Sequence, residues 1–171
     1  MRISFYAPLK APNHATPSGD RRMARLLTAA LEAAGHTVLL ASEFRSFDAH
    51  GEIARQAEIK AQGEAEAAAL VARYRAAPEP PEAWLSYHLY YKAPDWLGPA
   101  VCRQLGLPYL VAEASHAPKR ANGPWDLGHR AVAAALGQAA VVLSLTTLDM
   151  ACVAPLLAPE ARLLHLPPFL D

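Results

Sequence analysis

Apolar runs of strand length alternate with helix-length segments along nearly the whole chain, and this alternation limits the possible folds more than any other feature. The runs are residues 2–7, 36–41, 84–89, 108–113, 140–145 and 162–166. Several are apolar throughout, as strands are when helices cover both faces of a parallel sheet. The spacing predicts a doubly wound α/β domain of about six strands over residues 1–166, with residues 167–171 beginning a linker. The right-handed crossover rule leaves few windings, of which the order 3-2-1-4-5-6, with the first strand central, is expected.

The first strand–helix–strand unit carries the most local information. The loop 8–17 holds Pro8, Pro12 and Pro17 and is too rich in proline for helix or strand. It is expected to be exposed and mobile. It leads to Ser18-Gly19-Asp20 and a helix over about 20–34, where Met23, Leu26, Leu27, Ala30, Leu31 and Ala34 recur at spacings of three and four. Gly35 stops that helix. A long Ala- and Glu-rich helix is expected over about 51–77, ended by Pro78, Pro80 and Pro81. Thr146 or Thr147 can cap a later helix.

Ligands of open α/β sheets bind at the carboxyl ends of the strands, and free amides at a helix start favour anionic oxygen. Ser18 and Gly19 therefore suggest a phosphate-tolerant pocket, although an ordinary helix cap uses the same residues. His116 follows the fourth strand beside Ser115, with Lys119 and Arg120 three and four residues on. Cations and a histidine at one edge suit phosphate and sugar hydroxyls. Glu113, at the end of that strand, is either a paired buried carboxylate or part of the site. Tyr87, His88, Tyr90, Tyr91 and Lys92 end the third strand, where aromatic rings with polar tips either line a sugar cleft or pack on a helix. Trp84 and Tyr109 read as core, and His14, His50, His129 and His165 as loop or surface residues.

Other chemistries are disfavoured. No G-x-G-x-x-G follows the first strand, and no phosphate-loop lysine motif occurs. Sixteen basic and sixteen acidic residues leave no net charge, hence no long-range field for nucleic acid. Cys102 and Cys152 have no metal or disulfide spacing and read as core thiols. No apolar run approaches a membrane span of roughly 18 residues, so a cytoplasmic location is expected.

Four stretches carry a resemblance: Met-Arg-Ile-Ser at the start, Pro-Ser-Gly-Asp-Arg-Arg-Met-Ala-Arg-Leu-Leu from Pro17, Ala-Leu-Glu-Ala-Ala-Gly-His-Thr-Val from Ala30, and Glu-Ala-Ser-His-Ala-Pro-Lys-Arg from Glu113. Together they resemble the amino-terminal domain of bacterial family 4 glycosyltransferases, retaining enzymes built from two facing Rossmann-like domains (the GT-B architecture). The resemblance implies a transferase that moves a sugar from a nucleotide-sugar donor to a carbohydrate or lipid-linked acceptor without a metal. It would place Gly19 under the donor diphosphate and His116 at the transferred sugar; position at the same edge adds Ser18, Lys119 and Arg120 on the donor-phosphate side. Sheet-edge position adds His14, Tyr87, His88 and Lys92 as acceptor-side residues. The family's nucleotide-binding second domain is not among these residues and would be a required partner. Without it, an apolar or aromatic surface is expected near Tyr87, Tyr90 and Trp125. The intact enzyme could lie at the inner membrane surface. The alternative is a non-catalytic carbohydrate- or partner-binding module of the same fold.

Overall fold

The structure is a computed structural model that describes residues 1–167 and 169. Of the expected linker over 167–171, Pro168, Leu170 and Asp171 lie outside the described residues. The elements run β1 (Arg2–Tyr6), α1 (Gly19–Ala33), β2 (Thr37–Leu40), α2 (Ile53–Ala76), β3 (Ala83–Leu89), α3 (Gly98–Leu105), β4 (Tyr109–Ala114), α4 (Asp126–Leu136), β5 (Val141–Ser144), α5 (Thr147–Val153) and β6 (Arg162–His165). Every strand pairing in the six-stranded sheet is parallel. The result is a doubly wound, Rossmann-like α/β sheet.

The strand order is β2-β1-β3-β4-β5-β6, which corrects the expected 3-2-1-4-5-6. Burial explains the difference. β2 is four residues long, all of them at least partly exposed, which suits an edge. β3 is buried at six of its seven positions and belongs inside. It therefore lies between β1 and β4, and β1 is second from the edge rather than central.

This winding divides the helices unequally. The crossover from β1 to β2 runs one way along the sheet and all later ones run the other, so right-handedness puts α1 alone on one face. There Ala24 and Leu27 cover Ile3, Phe5, Leu85, Tyr87 and Ala112, with Met23 and Leu31 packed alongside. The α1 stripe is thus centred on Ala24 and Leu27, while Ala30 and Ala34 are exposed. On the other face, Leu70, Tyr74, Val101, Val132, Leu136 and Val153 from the remaining helices enclose Tyr6, Trp84, Tyr109, Val111 and Val142. Trp84 and Tyr109 are core, as expected.

Caps hold the helices in place. Ser18 Oγ accepts from Arg21 N at 3.2 Å at the start of α1, and Thr146 Oγ1 from Asp149 N at 3.0 Å at the start of α5. α3 is capped by the buried carboxylate of Asp95, which takes the amides of Leu97 and Gly98 at 2.8 Å each. Cys102 is buried, but Cys152 is exposed. On α5 the buried Val153 faces the sheet, and its neighbour Cys152 turns to solvent instead of the core.

The loop 8–17 is tethered, contrary to its expected freedom. Pro8 and Ala11 are buried, and within the loop only Asn13 and residues 15–17 are exposed. Arg45 donates to Leu9 O, Arg25 to Pro12 O, and Arg21 to the carbonyls of His14 and Ala15, at 2.7–3.1 Å. Prolines leave carbonyls without neighbouring donors, and arginines from α1 and the next loop satisfy them. No helix among the described residues is long and apolar enough to cross a membrane.

Candidate functional site

The sheet reverses winding direction between β1 and β3, which makes a crevice beyond their carboxyl ends, the usual ligand position in such folds. Because these strands are neighbours, the start of α1 meets the end of β3. His88 Nδ1 lies 2.9 Å from Asp20 Oδ1, and Glu113 Oε1 from β4 is 3.9 Å from the same nitrogen. A histidine and two carboxylates from three elements converge at the switch point.

The backbone there is unusual. His88 and Glu113 have φ of +65° and +60°, a left-handed region that disfavours residues with a Cβ. The pairs Tyr87↔Ala112 and Leu89↔Ala114 put the two residues opposite each other on adjacent strands. Such conformations concentrate at functional sites, where the surroundings must enforce them.

The tyrosines differ in exposure. Tyr87 is buried, and burial together with the Glu113 carboxylate, which accepts from its phenol, pushes the hydroxyl well above its ordinary value. Tyr90 is half-buried, its ring centroid 5.1 Å from that of His88. Burial and then the Asp20 charge push its phenol up to about 12. Both tyrosines stay neutral near pH 7.

His116 lies just past β4 and stacks on His129 of α4, centroids 4.4 Å apart and rings 23° from parallel. His129 is buried, so its reading as a surface or loop residue is corrected. It is the floor on which His116 rests. Burial and the facing imidazole lower the His116 pKa, which leaves its ring neutral near pH 7. The exposed Gly19 has open space around its Cα, and no atom lies within 4 Å of where a side chain would begin. Ser18 takes the Arg21 amide, the Gly19 and Asp20 amides lack intrahelical acceptors, and the space beside Gly19 is bordered by Pro17, Arg21, Arg22 and Arg25.

Other expected residues are engaged elsewhere. Lys92 Nζ sits 4.5 Å from the Trp125 ring centroid and donates to Ala49 O at 3.2 Å. The Arg120 guanidinium lies 4.7 Å from the Tyr91 centroid and 5.7 Å from that of Trp125. His14 Nδ1 accepts from Thr16 N at 3.1 Å within its own loop. Lys119 is exposed. The aromatic surface expected near Tyr87, Tyr90 and Trp125 is largely closed. The rings of His88, Tyr90, Tyr91 and Trp125 pack in a chain at 5.1–5.6 Å, with both cations over its far end.

Sequence reasoning missed Asp20 as the partner of His88 and missed His129 beneath His116. Asp20 stood beside Ser18-Gly19 and His88 at a strand end, but only the β1–β3 pairing brings them together. No family model matches the chain, and a comparison with curated proteins finds no significant match.

Proposed function

We propose that this chain is the acceptor-side domain of a glycosyltransferase, with the switch-point cluster as its sugar-handling site. The observation that carries this reading is the Asp20–His88 pair with Glu113 beside it at the switch point; the start of α1 and His116, just past β4, lie at the same carboxyl edge of the sheet. Amides at a helix start favour a phosphate, while histidines and carboxylates exchange hydrogen bonds with sugar hydroxyls. A neutral His116 can donate to a donor-sugar hydroxyl, an interaction that strengthens as the ring gains oxocarbenium character. In this reading Gly19 admits the diphosphate, and a second, nucleotide-binding domain supplies the base and ribose contacts. The donor is a nucleotide-sugar, the acceptor a carbohydrate or lipid-linked hydroxyl, and transfer proceeds with retention and without a metal. The setting is the cytoplasm, with the assembled enzyme at the inner membrane surface where the acceptor is lipid-linked.

The test is an amide NMR titration of the ¹⁵N-labelled chain with inorganic pyrophosphate and with methyl glycosides of common hexoses. Perturbations centred on Gly19, Asp20, Glu113 and His116 are expected. Perturbations elsewhere, or none with any of these probes, would overturn the assignment. In the enzyme completed by its nucleotide-binding domain, His116→Ala should lower kcat roughly 100-fold, about 2.7 kcal/mol, with the fold intact.

A further inference from the structure

The His88–Asp20 pair has a directionality that simple sugar binding does not require. Both neighbouring carboxylates lie on the Nδ1 side of the ring, at 2.9 Å from Asp20 and 3.9 Å from Glu113. An ionised carboxylate only accepts hydrogen bonds, so Nδ1 carries the hydrogen and Nε2 of the neutral ring is bare. Among the described residues Nε2 makes no hydrogen bond. The side chain is 23% exposed, enough for a ligand to approach and too little for free rotation. Asp20 is fixed in the first turn of α1, Glu113 neighbours the Tyr87 phenol, and Tyr90 packs on the imidazole. A surface ion pair adds little stability and would not by itself call for two adjacent left-handed residues.

We infer that His88 is the proton acceptor for the hydroxyl that enters this site, Nε2 being the accepting atom and Asp20 its positioning residue. The inference rests on the sugar-transfer reading and gives it a base. In the transfer, which takes place on the face the diphosphate leaves so that configuration is retained, the acceptor O–H bond breaks and its electron pair forms the new bond to the anomeric carbon. The proton goes to His88 Nε2, and the bond from the anomeric carbon to the donor phosphate breaks, its pair leaving on the diphosphate. The imidazolium, stabilised by Asp20 and Glu113, returns its proton to solvent. The charged and titratable groups facing the ring are Asp20 from α1, Glu113 from β4, and Tyr87 and Tyr90 from its own segment. Arg45, from the segment after β2, acts on Tyr90.

Histidine-¹⁵N NMR of the full chain at pH 8 tests the assignment without requiring turnover. The expected spectrum has Nδ1 protonated and Nε2 in the range of a bare imidazole nitrogen. Asp20→Ala should move Nε2 towards the N–H range, and methyl glycosides should shift Nε2 in the wild type. A wild-type ring protonated on Nε2 would overturn the assignment. So would glycosides that perturb the Gly19 and His116 amides but leave Nε2 unmoved, in which case the sugar-site reading stands without its base. If no glycoside perturbs any amide at this edge, the sugar reading fails and takes the proton transfer with it. Should Asp20→Ala not fold, the wild-type tautomer and its response to glycoside decide alone.

Discussion

His88 and Glu113 adopt a backbone region that costs about 1–3 kcal/mol for a residue with a Cβ, at φ of +65° and +60°. A residue kept there for stability should be damaging to replace, whereas one kept for chemistry should not. Asparagine tolerates the left-handed region, and the partly exposed pair with Asp20 contributes only about 0.5 kcal/mol. His88→Asn is therefore expected to leave the melting temperature within about 2 °C of the wild type or to raise it, while the glycoside response at this edge is lost. A fall of many degrees by calorimetry would make His88 structural. His116 gives a pH signature of known sign. Its folded pKa lies below the ordinary 6.5 through burial and the His129 ring, so the unfolded chain binds the proton more readily. The resulting stability is present above about pH 6.5 and lost as pH falls below it. Urea midpoints at pH 7.5 and 5.5 should therefore differ less in His116→Gln than in the wild type.

At the scale of elements, two devices hold the loops that build the site. Asp95 is buried and accepts from Ser86 Oγ, from Tyr109 at 2.9 Å, and from the Leu97 and Gly98 amides. Trp84 Nε1 donates to the same Ser86 hydroxyl at 2.8 Å. The network ties β3 to β4 and starts α3. Burial, only partly offset by these donors, raises the Asp95 pKa. Asp95→Ala would orphan several buried donors and should cost on the order of 3 kcal/mol in urea unfolding. The second device is a crossing of loops at Gly51. With φ of +79° and Pro124 Cβ 2.6 Å from where its own Cβ would stand, Gly51 can accept no side chain. Gly51→Ala should destabilise by about 2 kcal/mol and broaden the Trp125 environment, visible as a change in indole fluorescence.

For the molecule as a whole, the winding leaves one sheet face served by a single helix. Beside α1, an apolar groove of about 330 Å³ opens among Met1, Ile3, Leu31, Leu85, Leu110, Val141 and Leu143. β1, β3 and β4 are flanked by strands on both sides, whereas β2 and β6 are edges. Hydrogen exchange should accordingly be slowest in β3 and β4 and fastest among the strands in β2 and β6. Equal protection across the sheet would mean that the open face is covered in solution.

Class, strand count and the capped helix starts were determined by the sequence alone, because apolar periodicity and cap chemistry act over a few neighbouring residues. Ser18 and Thr146 cap their helices where the pattern put them, and six strands alternate with five helices. The edge residues Gly19, His88, Glu113 and His116 could be named for the same reason, each following a strand end or opening a helix. Tertiary structure decided what those residues touch. Placing β3 beside β1 is a choice between windings of similar local energy, settled by burying six of the seven residues of β3 and leaving the four of β2 at an edge. That one choice joins Asp20 to His88 across 68 residues. The stack of His116 on His129 and the approach of Arg120 to Trp125 arise within the β4–α4 connection, and Lys92 reaches Trp125 from the loop after β3. Pairings between distant residues come from the geometry of chain crossing, which no local pattern records.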